Sequence, residues 1–166
     1  LVEIAVSDYV APARLAAALT FARRIGWRAV ATRAETSEPE KSAAPVAVRL
    51  ARAIAETVAH LERGGLDRAV IARALAAHGI AGEGAVVRPS PLEADIARRC
   101  FAAVANAGAR LIENGVLHRP CEVDMVAIGA GLMARHTGGP MYQADRRGML
   151  ILVRDLRKWA VENPAL

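Results

Sequence analysis

From Pro45 to the end of the chain, apolar residues recur every three or four positions, and glycines interrupt the runs. The first run stops at Gly64-Gly65, and its apolar stripe is Val46, Leu50, Ile54, Val58 and Leu61. This spacing places the stripe on one side of an α-helix, and glycine commonly ends a helix. Since the helical period extends over most of the sequence, we predict a mainly α-helical protein.

Several of these helices have recognisable start signals. Asp67 precedes a short helix that closes at Gly79, and a longer helix begins in the run from Ser90 to Glu93. A capping serine followed three residues later by glutamate is the pattern of a capping box. The apolar stripe of the longer helix is Ile96, Cys100, Val104, Ala107 and Leu111, and Asn114-Gly115 ends it.

Two further helical regions begin at prolines. Pro120 is followed by two acidic residues in its first turn, which favours a helix start. After a predicted loop from Gly129 to Gly139, Pro140 begins the last helical region, which we expect to bend at Gly148.

The N-terminal 32 residues follow a different pattern. Val2, Ile4 and Val6 alternate with Glu3, which predicts a strand with Glu3 on the opposite face from the valines. A helix from Pro12 to Gly26 and a second short strand from Trp27 to Thr32 follow. Two strands alone leave unpaired edges, so we expect their neighbours to be absent or supplied by a partner chain. The polar residues 33–44 are predicted to be a linker.

The helical part contains an internal repeat. Residues 56–65 followed by 71–80 parallel residues 106–115 followed by 123–132, each copy having a long helix, a glycine turn, a short helix and a glycine loop. Duplicated helical hairpins usually pack on one another. We therefore predict a first, shortened helical unit at 45–89 and a second unit at 90–166.

Composition narrows the function classes. The 166 residues are 54% hydrophobic, with 22 Lys plus Arg against 17 Asp plus Glu and a net charge of +5. This is not the composition of a disordered chain, and no apolar run approaches the roughly 20 residues of a membrane span. The two cysteines, Cys100 and Cys121, favour a reducing compartment, so we expect a cytoplasmic protein. Because the chain begins at Leu1, we interpret it as a piece of a longer protein.

Nucleic acid and metal are not expected as partners. The arginines are scattered among acidic residues, and aromatic residues make up 4% of the chain, which leaves few side chains on which the bases of a single strand could stack. Leu66 to Ile80 superficially suggests half of a helix-turn-helix, but a solvated helix face explains it better. His118 and Cys121 have metal-compatible spacing without further ligands close by, and His60 and His78 are interpreted as helix-surface or helix-end residues.

The second copy of the repeat carries a family resemblance. Residues 106–115, Val123 to Val126, Gly131 and the phrase Gly138 to Asp145 with Gly148 resemble the C-terminal helical domain of the L-3-hydroxyacyl-CoA dehydrogenase family. The resemblance is closest to the duplicated copy in multifunctional fatty-acid oxidation enzymes. It implies that Gly138, Gly139 and Pro140 form a structural turn that positions the last helix. Residues 1–32 resemble the edge of the family's dinucleotide-binding Rossmann domain.

The resemblance also implies a catalytic role for Glu3. In such enzymes a histidine just before this strand takes the proton of the substrate's 3-hydroxyl while hydride passes to NAD, and a glutamate in the strand orients that histidine. A carboxylate bonded to one imidazole nitrogen fixes the tautomer of the ring. Glu3 matches the glutamate, so the histidine would precede Leu1. Without the resemblance, Glu3 is a lone carboxylate on an exposed strand face.

Two departures from the family qualify this expectation. No Gly-x-Gly-x-x-Gly loop follows a strand, so we expect no cofactor-binding residues in this chain and assign NAD to the parent protein. Val48 stands where the family commonly has an asparagine before an arginine, here Arg49, and valine cannot form side-chain hydrogen bonds. Taken literally, this residue argues against dehydrogenase competence.

The sequence thus supports two functional hypotheses. The first is a fragment of an NAD-dependent 3-hydroxyacyl-CoA dehydrogenase of fatty-acid β-oxidation, with acyl-CoA as the substrate of the parent protein and no activity in the isolated fragment. The second is a non-catalytic helical interaction or dimerisation module that kept the family fold. Both include homodimer or pseudo-dimer packing of the helical units.

Overall fold

The structure, a computed structural model, describes residues 1–7, 9–33, 44–81 and 89–162. In these ranges the chain is mainly α-helical, as predicted, with two strands and seven α-helices. The elements are β1 (Val2–Val6), α1 (Pro12–Arg24), β2 (Ala29–Arg33), α2 (Val46–Arg63), α3 (Arg68–Ala77), α4 (Pro91–Glu113), α5 (Pro120–Gly129), α6 (Pro140–Arg147) and α7 (Met149–Glu162).

The two strands form a parallel pair connected by α1. Val2 pairs with Ala29 and Val6 with Arg33, and the described residues add no further strand to this sheet. The predicted second strand, Trp27 to Thr32, starts two residues too early. The Trp27 amide still donates to the Ala22 carbonyl at 2.8 Å, so this residue belongs to the turn that closes α1. The strand also continues one residue further, to Arg33.

The core lies between the two long helices, α2 and α4. The buried stripe of α2 is Val46, Leu50, Ile54 and Leu61, and that of α4 is Ile96, Cys100, Val104 and Leu111. Val58 and Ala107, the remaining predicted stripe residues, are partly buried beside this core. The predicted apolar faces of both helices therefore form one shared interior.

Each long helix is followed by a short one, giving the hairpins α2–α3 and α4–α5. The two hairpins meet where their short helices end, through an antiparallel bridge between Ile80 and Met133. The Ala81 amide donates to the Leu132 carbonyl and the Ala134 amide to the Gly79 carbonyl, both at 2.8 Å. Both bridge residues are buried, so this contact closes the core at one end.

The predicted capping residues Asp67 and Ser90 are confirmed, and both bind groups close to them in sequence. Asp67 accepts hydrogen bonds from the Ala69 and Val70 amides at 2.7 and 3.3 Å. The capping box is present, with the Ser90 amide 2.8 Å from Glu93 Oε2 and the Glu93 amide 3.2 Å from Ser90 Oγ. In both cases the partners lie within three residues of each other.

The last helical region breaks at Gly148, as predicted, because this residue has a φ of +92° between α6 and α7. The segment from Gly129 to Gly139 was expected to be loop throughout, and this is wrong in detail. Gly129 is the last residue of α5, Met133 joins the bridge, and Arg135–Thr137 form a short 3₁₀ helix. The expectations for residues 34–43 of the linker, residues 82–88 of the joint and the last four residues lie outside the described ranges.

Candidate functional site

Strand β1 places Glu3 against the beginning of α2. Glu3 Oε2 accepts a hydrogen bond from the Val46 amide at 2.6 Å, and Oε1 accepts one from the Ala47 amide at 2.9 Å. The residue before the helix, Pro45, offers no capping side chain. A carboxylate satisfies the free amides of a helix start and interacts favourably with its dipole. Glu3 therefore caps α2 from 43 positions away, and it is half-buried instead of lying on an open strand face.

The carboxylate of Glu3 retains capacity for another donor. Each of its oxygens accepts one hydrogen bond from a backbone amide of α2, whereas a carboxylate can accept about four hydrogen bonds in all. The sequence of this chain has no histidine before His60. This sequence therefore does not contain the histidine that the resemblance places just before β1. The Glu3 carboxylate can still accept a hydrogen bond from such a histidine.

Val48 lies in the first turn of α2, directly after the two residues that Glu3 caps. Its side chain is 54% exposed and offers hydrocarbon only. The neighbouring Leu50 is fully buried, so the helix turns its apolar stripe inward and leaves Val48 at the surface. The position that the resemblance assigns to an asparagine is therefore exposed beside the strand–helix junction.

The turn made of Gly138, Gly139 and Pro140 lies against Asp124 of α5. Both glycines have positive φ, +76° and +95°, and a Cβ atom on Gly139 would lie 2.6 Å from the Asp124 Cβ. Asp124 Oδ1 accepts from the Met141 amide at 2.7 Å, and Oδ2 accepts from the Tyr142 amide at 3.3 Å. The turn thus packs closely against Asp124, which also binds the first amides of α6.

The sequence places Asp124 in the first turn of its own helix and within the run Val123 to Val126 that carries the resemblance, but it does not indicate which groups this carboxylate binds. Its half-burial raises the pKa of its carboxyl group, and the two amide bonds act in the opposite direction. The available signal was the missing local cap, because α6 begins at Gly139-Pro140 without a capping side chain of its own. A helix start of this kind needs a partner from elsewhere in the fold.

Arg73 was also missed as a partner of the capping box. Its Nε lies 2.5 Å from Glu93 Oε1, linking α3 of the first hairpin to the start of α4. The hydrogen bond from Arg73, followed by those at Ser90, lowers the pKa of Glu93 to about 2. Glu93 therefore remains ionised across the neutral and mildly acidic range.

The cysteine and histidine side chains lie in different environments. Cys100 is buried, and burial raises the pKa of its thiol to about 12, while Cys121 is exposed. His78 Nδ1 lies 2.9 Å from the Ala74 carbonyl oxygen at the end of α3. Across the part of the chain that the structure describes, no three His, Cys, Asp or Glu side chains are grouped as metal ligands would be. Within these residues, His118 and Cys121 therefore have no third potential metal ligand of these types beside them.

The positive charge is distributed over ion pairs within the helical body. Examples are Arg52 with Glu56 at 2.7 Å, Arg98 with Asp95 at 2.9 Å and Arg99 with Glu162 at 2.7 Å. None of the helices within the described ranges combines the length and apolarity needed to cross a membrane.

Part of the chain is similar to curated proteins named peroxisomal bifunctional enzyme. It is 30% identical over 70 residues to the protein of Cavia porcellus, a match that covers 42% of this chain and 10% of that relative. It is 29% identical over 79 residues to the protein of Homo sapiens, covering 47% and 11%. The chain thus spans about a tenth of the length of these relatives. No family model and no solved structure matches it significantly.

Proposed function

We propose that this chain is part of an NAD-dependent 3-hydroxyacyl-CoA dehydrogenase of fatty-acid β-oxidation, which oxidises 3-hydroxyacyl-CoA to 3-ketoacyl-CoA. Residues 1–32 are the edge of its dinucleotide-binding domain, and the two hairpins belong to its duplicated helical units. The partial similarity to peroxisomal bifunctional enzymes supports an origin in a larger oxidation enzyme. The observation that carries the proposal is Glu3, whose carboxylate joins β1 to the start of α2.

The surface of the strand–helix–strand segment supports its assignment to a larger sheet. β1 pairs on one side with β2, and the described residues place no strand on its other side. Parallel sheets are normally buried on both faces and contain more than two strands. The segment also exposes large apolar side chains, namely Leu1, Tyr9, Phe21, Ile25 and Trp27. Additional strands and a covering layer would bury this surface.

The residues of this chain do not fit NAD. The connection from β1 to α1, residues 7–11, contains no glycine, whereas a dinucleotide loop needs glycines so that backbone amides can approach the pyrophosphate. No cofactor step is therefore assigned to these residues, and NAD belongs to the remainder of the parent protein. The role that this chain supplies is positional, with Glu3 orienting an upstream imidazole that removes the hydroxyl proton.

A second candidate function is a non-catalytic helical interaction module. The observation that favours it is Val48, which exposes hydrocarbon where the resemblance implies a hydrogen-bonding amide. In this alternative the two hairpins, joined at Ile80 and Met133, retain pseudo-dimer packing or form a homodimer without chemistry. Acyl-CoA is the partner under the first proposal, and a second helical unit is the partner under this one.

The two candidates differ in a direct assay. The purified chain is mixed with a 3-hydroxyacyl-CoA and NAD, and NADH formation is followed by absorbance, with the longer parent protein assayed in parallel. The dehydrogenase proposal expects no turnover by the chain alone and turnover by the parent. An inactive parent that dimerises would overturn it in favour of the module, and turnover by the chain alone would overturn the assignment of NAD to the remainder.

The cellular location stays a prediction. The two thiols of the described helices are free, which agrees with the proposed cytoplasmic location. The relatives are named peroxisomal, so a fluorescent fusion of the parent protein, viewed beside a peroxisomal marker where the source cell has that organelle, distinguishes the two compartments.

A further inference from the structure

A cavity of about 280 Å³ lies between α4, α6 and α7, away from Glu3 and the strands. Its charged lining consists of Arg98 from α4 and of Arg146 and Arg147 from α6. Its apolar lining includes Phe101 of α4 and Leu152 of α7, together with three alanines. No acidic residue is among the lining residues within the described ranges. The cavity therefore combines positive charge with an apolar wall.

The three arginines differ in how far their charges are already satisfied. Arg98 forms an ion pair with Asp95, and the Arg147 guanidinium bonds to Asp155, which also accepts from Arg154. Arg146 forms no ion pair with any described residue, and its guanidinium carbon lies 6.0 Å from the Tyr142 ring centroid. A bound oxyanion would thus gain most from Arg146, whose donors are uncommitted to a carboxylate.

Arg147 supplies a second, independent observation. Its Nε atom is buried and finds no hydrogen-bond acceptor among the described residues. A buried donor without a partner is costly, and an arginine presents several N–H groups that suit carboxylate or phosphate oxygens. Arg147, one of the lining residues, thus has a buried N–H donor without an acceptor among the described residues.

We propose that this cavity binds a small amphipathic anion, in which a carboxylate or phosphate group is attached to an apolar body. Arg146 holds the oxyanion, Arg147 adds positive charge beside it, and Phe101 and Leu152 cover the apolar body. The volume, about 280 Å³, is many times the roughly 10–15 Å³ that one water needs on this measure, so the cavity has room for a short alkyl chain with its head group. The site is separate from the dehydrogenase proposal and does not depend on it.

The fluorescence of Trp159 provides a local readout. This residue is buried in a cluster with Ala102, Ala105, Ala144 and Leu152, all four of which also line the cavity. Trp27 is the other tryptophan of the chain and is exposed, so the Trp27→Phe variant of the 166-residue chain reports on Trp159 alone. Octanoate and octyl phosphate are the probes, and octanol, acetate and inorganic phosphate are the controls.

Both octyl anions are expected to shift the Trp159 emission with saturation, and the three controls to bind at least tenfold more weakly. Arg146→Gln is expected to weaken binding by about tenfold, because one charge-assisted contact is lost. Ala105→Leu fills the apolar wall and should reduce binding without altering any charge. The matched control is Arg52→Gln, which removes an arginine on α2, outside the cavity. Circular dichroism melts check that each variant is folded.

Three outcomes would contradict the proposal. Equal binding of octanol and octanoate would show that the arginines do not select the ligand, and equal binding of inorganic phosphate and octyl phosphate would show that the apolar wall does not. Equal weakening by Arg146→Gln and Arg52→Gln would reduce the effect to general surface charge. Tighter binding of octanoate than of octyl phosphate assigns a carboxylate as the preferred head group, and the reverse assigns a phosphate.

Discussion

The two helical hairpins have the same order of parts but differ in what they hold at their short helices. The fourth residue of the short helix is a buried apolar residue in both, Ile71 in α3 and Val123 in α5. The fifth is the exposed Ala72 in α3 and the half-buried Asp124 in α5. Asp124 binds the start of α6, whereas a methyl group at Ala72 has nothing to offer a helix start. The Asp124 carboxylate thus attaches α6 to the second hairpin, and the matching position of the first hairpin has no hydrogen-bonding side chain.

The long helices also differ in how they are capped, but here the helix of the first hairpin depends on a distant carboxylate. α4 is capped by its own Ser90 and Glu93, while α2 depends on Glu3 from the strand segment. Their buried stripes share one register, since Val46, Leu50 and Ile54 lie 50 positions before Ile96, Cys100 and Val104. The interior of the two hairpins is therefore similar, and the differences lie in the carboxylates that attach them to neighbouring elements.

The largest expected effect comes from Gly139→Ala. A Cβ at this position meets Asp124 at 2.6 Å and adopts a φ of +95°, so we expect a loss of about 3 kcal/mol in the free energy of unfolding. The matched control is Gly131→Ala, where φ is +74° but no atom lies within 4 Å, and the expected loss is about 1 kcal/mol. Urea titration measures both. Equal losses would mean that Asp124 does not hold this turn.

Removing the carboxylate itself should have a smaller effect. Asp124→Ala leaves the Met141 and Tyr142 amides without their acceptor, and we expect a loss of about 1–2 kcal/mol. Asp145→Ala, at an exposed position on α6, is the control and should stay within about 0.5 kcal/mol. If the two variants have the same stability, α6 is held by packing alone. The difference between Asp124 and Ala72 would then not explain how α6 is attached.

The contact between the hairpins predicts a pH dependence. Because the pKa of Glu93 is lowered to about 2 in the folded protein, its contribution is present above the ordinary value of 4.5 and is lost as the pH falls toward 2. The stability difference between the wild type and Glu93→Gln should therefore shrink between about pH 5 and pH 2. Glu113→Gln, at an exposed site on α4, is the control. A difference that does not change with pH would contradict the Arg73 contact.

The smallest expected effect is that of Val48→Asn. The side chain is exposed and valine and asparagine have similar helix propensities, so stability should change by less than about 0.5 kcal/mol. Thermal melts of the chain check this expectation. A large loss would show that Val48 is a packing residue of the first hairpin, and the comparison with the family's asparagine would then have no basis.

The sequence predicted the parts of this fold whose causes are local. Asp67 and Ser90 cap helices through amides two or three residues away, so their patterns are visible in a short window of sequence. Gly148 breaks a helix through its own backbone, which needs no partner. Helical stripes are similarly predictable, because they depend on spacing alone.

The contacts that join distant elements could not be predicted in this way. Glu3 and Asp124 bind amides 43 and 17 positions away, and Arg73 binds Glu93 across 20 positions. Nothing in the spacing of these residues fixes such partners, because the packing of the helices decides which groups meet. For the candidate site, the resemblance singled out Glu3, and the structure added the helix start to which its carboxylate is bonded.

We propose that Glu3 positions an imidazole for proton removal in the parent protein. The most direct test of this proposal is the pH profile of kcat for Glu3→Gln in that longer protein, with Glu56→Gln on the exposed ion pair of α2 as the control. We expect Glu3→Gln to lower kcat by about a hundredfold and to displace the pKa of the acidic limb, where the imidazole becomes protonated, while Glu56→Gln behaves as the wild type. A Glu3→Gln enzyme with the kcat and pH profile of Glu56→Gln would contradict the account.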